Sequence, residues 1–162
     1  MRTAVPPLAR RERPLTRERD LSGDPVVGTD RAVYHRCAAA PAAAAWQRLG
    51  WEEIDRVRWE RQAGLLTLAS PLPGRAPGLA LRLPAGARLV ALAGERVTAT
   101  TLACARVRLG GEATAWVSAR CRPGAGEVTW VVTVNGGYDP EDLDTQALLL
   151  AAIHQLRVQM GI

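Results

Sequence analysis

The chain contains no phenylalanine and no lysine, and its whole aromatic complement is five Trp and two Tyr. With so few rings available, each Trp is expected to be a core position or a surface anchor. All 21 basic residues are therefore Arg, and the abundance of Ala, Gly and Pro fits a GC-rich coding sequence in which lysine codons are scarce. Three Cys (Cys37, Cys104, Cys121) is an odd number without Cys-x-x-Cys spacing, which argues against a zinc knuckle or a disulfide framework and for free thiols in the cytoplasm. No apolar run reaches the ~18 residues of a transmembrane helix. After Arg2, the residues Pro6, Pro7 and Arg10-Arg11 interrupt any secretory-type apolar stretch, so no signal peptide is expected.

Catalytic and phosphate-binding patterns are missing as well. There is no Gly-x-x-x-x-Gly-Lys, no Gly-x-Gly-x-x-Gly and no His-Glu-x-x-His, and no cofactor or metal is expected. Asp139, Glu141, Asp142 and Asp144 lack the sixth-position Gly and closing Glu of a calcium loop, and read as helix-capping residues. The two histidines divide simply: His154 sits beside an apolar helical stripe, and His35 ends a strand two residues before Cys37 with no third orienting group in sight. Both read as structural, and the chain as non-catalytic.

What is present suits one domain. A length of 162 residues buries about two thirds of its unfolded surface, and the apolar fraction of 48% is ordinary for a globular protein. Residues 1–12, rich in Arg and Pro, read as a mobile arm without a packing face, and residues 13–162 as a single domain. The net charge is +5, of which residues 1–20 supply +3. This balance admits nucleic acid or an anionic membrane surface as partner without requiring either.

The periodicities give a strand-rich chain. Residues 13–21 and 26–36 read as two strands of a hairpin around Ser22-Gly23-Asp24-Pro25, and Ala-rich 37–45 as a loop. Residues 46–60 read as extended pieces broken by a turn at Glu52-Glu53, with Val57 and Trp59 on one face. Leu65–Ala69 and Leu79–Leu83 are two further strands. The spacing Leu89, Leu92, Ala93, Val97 predicts a short helix within 84–98. Residues 101–109, 113–121 and 127–134 form a meander through Gly110-Gly111 and Pro123–Gly126. A last helix at about 140–160 takes Asp139 as N-cap and Pro140 as its first residue, and places Leu149, Ile153, Leu156 and Met160, with Leu143 and Leu150, on one stripe.

The strand Val26-Val27-Gly28-Thr29-Asp30-Arg31-Ala32-Val33-Tyr34, followed by Trp51-Glu52-Glu53-Ile54-Asp55-Arg56-Val57, resembles bacterial pleckstrin-homology-like domains, loosely over residues 13–162. The resemblance implies a mainly β fold with α: a strongly bent antiparallel barrel of about seven to eight strands, capped by the C-terminal helix. It departs from phosphoinositide-binding members in its first loop, Asp20-Leu21-Ser22-Gly23-Asp24, whose acids repel inositol phosphates. Selective phosphoinositide binding is not expected.

Arg48, Trp51, Arg56, Arg58 and Trp59 combine Arg and Trp, the composition favoured at binding hot spots, among Glu52, Glu53 and Asp55. The plainer reading of this band is a solvated strand face with cross-strand ion pairs. Together these features suggest a non-catalytic interaction module for a protein or peptide. Nucleic-acid binding through the Arg-rich arm and surface, or an enzyme with an unfamiliar site, are the alternatives.

Overall fold

The computed structural model describes residues 5–36, 46–70, 78–124, 126–137, 139 and 141–162. The loop expected at 37–45 and the proline expected to open the last helix, Pro140, lie outside the described residues. The chain divides into two compact units, Met1–Ala99 and Thr100–Ile162. They carry ten described strands in three antiparallel sheets, where a single barrel of seven to eight was expected, and two α-helices. Among the described residues no strand pairing closes these sheets into a barrel.

In the first unit, alternation sets the first strand: β1 (Pro14–Arg19) turns Thr16 inward and leaves Leu15, Arg17 and Arg19 exposed. It pairs with β2 (Pro25–Thr29), which pairs with β3 (Ala32–Arg36), which pairs with β4 (Trp46–Gly50). The single strand expected over 26–36 is thus two strands. The Thr29 side chain breaks it: Oγ1 accepts the N–H of Arg31 at 3.1 Å and of Ala32 at 2.8 Å, folding the backbone back at Asp30-Arg31. One 3-10 turn, Trp51–Glu53, then leads to the second sheet of β5 (Arg56–Glu60), β6 (Leu65–Ala69) and β7 (Gly78–Arg82). That turn falls where Glu52-Glu53 was expected to bend the chain.

The helix α1 (Arg88–Thr100) buries Leu89, Leu92, Ala93 and Val97, the four residues whose spacing predicts it. They share one core with Val26, Val33 and Leu49 of the first sheet and Leu66, Leu68, Leu79 and Leu81 of the second. Close approach explains Gly28: a Cβ there would stand 2.6 Å from Leu92 Cδ2 and 2.6 Å from Thr16 Oγ1, so the helix seats against β2 where no side chain intervenes. The two sheets are also joined by a backbone bond of 2.8 Å from Leu21 N–H to the Arg82 carbonyl.

The other face of the first sheet holds a smaller cluster of Val27, Ala32 and Tyr34, on which Leu8 and Trp46 pack. Glu12 lies buried beside it, accepting from Thr29 Oγ1 at 2.6 Å and Tyr34 OH at 2.8 Å. The expectation that residues 1–12 lack a packing face is therefore corrected at Leu8 and Glu12. A carboxylate with three donors around it fastens the segment, and composition alone hides such a contact.

The second unit bears out the meander: β8 (Thr101–Gly110), β9 (Ala113–Cys121) and β10 (Val128–Asn135), in the order β10-β9-β8, with positive φ at both Gly110 and Gly111 in the connecting turn. The helix α2 (Leu143–Met160) packs on β8 and β9. Two details of the expected last helix are corrected. Its N-cap is Asp142, whose carboxylate accepts from Thr145 N–H at 3.0 Å, so the helix starts three residues later than expected; Asp139 instead accepts from Glu141 N–H in the preceding turn. The stripe Leu149, Ile153, Leu156, Met160 faces inward, but Leu143 and Leu150 lie off it and stand exposed. Within the first unit, the helix that shares the core of the two sheets is α1. No helix among the described residues is long and apolar enough to cross a membrane.

Candidate functional site

The five residues singled out from the sequence do not form one surface. Trp51 is fully buried, its ring in the shared core and its Nε1 donating to the Thr29 carbonyl at 2.9 Å. Arg48 belongs to the Glu12 network: Nε donates to Tyr34 OH at 3.2 Å and the guanidinium stands 5.9 Å from the Tyr34 ring centroid. Arg56 and Arg58 alternate outward on β5, where Arg58 Nε lies 3.3 Å from Glu60 Oε1 in an exposed pair. Glu52 and Glu53 are buried, so the solvated charged face expected around them is corrected; Glu53 Oε2 is held by the N–H of Gly50 at 2.7 Å.

Trp59 remains as the ring with an open side. Val57 and Trp59 share the inward face of β5, as their spacing indicates, and both are half-buried against the core. Beyond Trp59 the chain turns at Arg61–Gly64, and the Gly64 carbonyl accepts the N–H of Leu83 at 2.8 Å. Gly64 has φ 59°, and an added Cβ would come 2.9 Å from the Leu83 carbonyl oxygen, so this turn needs glycine. Pro84–Ala87 forms the next turn and delivers Arg88 to the start of α1. Between the two turns and the helix opens a cleft of about 640 Å³. Trp59, Ala87, Val90 and Ala91 give it apolar walls, and Arg61 and Arg88 stand exposed at its rim. None of its lining residues is acidic. Such a cleft suits an apolar side chain carried beside negative charge. The sequence singled out Trp59 but not Arg88 or Val90, because they line the cleft only once α1 has folded against the second sheet.

Two titratable clusters lie elsewhere in the first unit. Burial opposes the charge of Glu12, yet hydrogen bonds from Thr29, the Ala9 N–H and Tyr34, together with the Arg48 charge, outweigh it and hold its carboxyl below the usual glutamate range. Tyr34 is pushed up, first by burial and then by its bond to Glu12. These groups bond one another and serve as a polar strut between the N-terminal segment and the first sheet. At the β1–β2 turn, Asp20, Asp24 and His35 bring their ligand atoms within 4.8 Å of one another, the one group among the described residues able to hold a metal ion. Asp20 is already engaged there: Oδ1 accepts from Ser22 and Asp24 N–H, both at 2.9 Å, and Oδ2 faces His35 Nε2 at 3.1 Å. His154, in the second unit, is exposed and joins Trp130 and Arg157 around a shallow hollow. Comparisons with protein-family models, with curated proteins and with solved structures return no match.

Proposed function

We propose that the first unit is a pleckstrin-homology-like module that binds a protein or peptide partner in the cytoplasm without catalysing a reaction. The resemblance implies seven to eight bent antiparallel strands and a capping helix. Seven strands in two sheets of four and three, followed by α1 over a shared core, support that reading. In it α1 takes the capping place that the sequence assigned to the C-terminal helix.

The observation that carries the function is the Trp59 cleft: apolar inside, arginine at its rim, without a carboxylate among its lining residues. It lies beside β5, an edge strand that pairs with β6 alone among the described residues. An extended segment could lie along that edge and drop one apolar side chain onto Trp59, with acidic neighbours facing Arg61 and Arg88. A random peptide library displayed on phage tests this. Selection on the whole protein is expected to enrich sequences with a large apolar residue flanked by Asp or Glu, and Trp59→Ala or Arg61→Glu with Arg88→Glu should abolish their binding. Enrichment that survives both changes would remove the cleft from the reading.

A further inference from the structure

Alternation in the third sheet separates two faces. Trp130 lies beneath Arg157 of α2, whose guanidinium is 5.6 Å from its ring centroid, so the face bearing Trp130, Val117 and Ala119 is the helix-covered one. Trp116, one residue from Val117, points to the other face and is 42% exposed, unusual for so large a ring. Arg106 is its direct cross-strand partner on β8, and Arg108 follows two residues on, opposite Thr114. Directly opposed residues on antiparallel strands share a face, so the indole and both guanidinium groups lie on one surface. Both arginines are exposed, and the strand residues of this face include no acid; Glu112 lies outside the strands, at the hairpin tip.

We propose that the hairpin end of this face, away from its buried residues Ser118, Arg120 and Val131, binds single-stranded nucleic acid, with Trp116 stacking on a base and Arg106 and Arg108 holding successive phosphates. A flat ring on a sheet stacks on any base, and arginine provides charge-assisted donors for the backbone. The two arginines stand about 6.8 Å apart along the strand, of the order of the phosphate step in an extended single strand. An acidic peptide would satisfy the arginines but leave the indole face without a stacking partner. The site lies within the second unit and is independent of the Trp59 cleft.

The test is fluorescence anisotropy of the whole protein with a labelled oligothymidine of about 12 nucleotides, titrated over about 50 to 200 mM salt. Trp116→Ala should weaken binding at least about fivefold without altering the salt slope, and Trp116→Phe should restore most of it. Arg106→Gln with Arg108→Gln should weaken binding and reduce the slope of log K against log salt by about 1.4. Trp59→Ala should change neither. No binding by the wild-type protein would overturn the proposal. So would affinity that is indifferent to Trp116, or equal binding of polyglutamate or phosphatidylserine vesicles lost through the same changes.

Discussion

Glu18 on the first strand caps the helix that begins seventy residues later: its Oε1 accepts the N–H of Arg88 at 2.7 Å and of Leu89 at 3.3 Å. The sequence before α1, Pro84-Ala85-Gly86-Ala87, offers no side-chain acceptor for these amide groups. A carboxylate at this end also meets the positive end of the helix dipole. Glu18→Ala should destabilise the first unit by about 1–2 kcal/mol, whereas Glu18→Gln, which keeps an acceptor oxygen, should cost less. Urea unfolding of the two variants checks this, and equal losses would mean that the acceptor is not what matters.

The Glu12 network sets a pH limit on stability. Its carboxyl is held below the ordinary value, so its contribution is complete above that value and is lost as pH falls through the lowered one. Tyr34 is shifted upward, so its contribution holds below the ordinary tyrosine value and fades as pH rises through the raised one. Glu12→Gln should lower stability at neutral pH and flatten the acid limb of the stability profile. Thermal melts across pH read both effects, and an acid limb unchanged by the substitution would refute the assignment.

Two tryptophans nearby in sequence should behave in opposite ways. Trp51 fills the shared core and also donates to the Thr29 carbonyl, so Trp51→Ala should cost about 3–5 kcal/mol or prevent folding. Trp59 lines an open cleft and is only half-buried, and its replacement by Ala should cost distinctly less while removing peptide binding. Chemical denaturation of both variants gives the comparison; equal losses would place Trp59 in the core instead.

The last helix offers a similar contrast across its two sides. Leu156 is 3% exposed and Leu150 is 66% exposed. Leu156→Ala should cost about 2–5 kcal/mol, and Leu150→Ala no more than about 0.5. A large loss at Leu150 in thermal melts of the isolated monomer would contradict the observed orientation of α2.

The sequence was legible where one local rule acts alone. Alternation placed Val57 and Trp59 together, helical spacing found Leu89 through Val97, and paired glycines marked the turn between β8 and β9. Reading failed where a side chain from elsewhere decides the outcome. Thr29 splits an apparently continuous strand through its own hydroxyl, and Glu12 ties down a segment whose composition looks unstructured. On α2, apolar residues occupy both sides, so spacing could not tell Leu150 from Leu149 before the sheet chose between them. At the candidate cleft, Trp59 was visible as a rare ring, but its neighbours Arg88 and Val90 lie about thirty residues away and meet it only through tertiary packing.

A pleckstrin-homology-like reading invites the expectation of lipid recognition at the first hairpin, and the geometry there argues against it. Gripping an inositol phosphate takes several donors converging on each stripped phosphate. In the β1–β2 turn the N–H groups of Ser22 and Asp24 are already taken by Asp20 Oδ1, and Arg19 Nη1 is turned to the Gly23 carbonyl at 2.6 Å. Asp20 and Asp24 add negative charge where the ligand would need positive. Arg17 and Arg19 share the exposed face of β1, which leaves room for weak, general attraction to anionic surfaces that salt screens away. Sedimentation with vesicles should therefore show no preference for phosphoinositide over phosphatidylserine at physiological ionic strength, and Arg17→Ala with Arg19→Ala should lower both equally. A phosphoinositide preference abolished by that pair of changes would restore the hairpin as a lipid site.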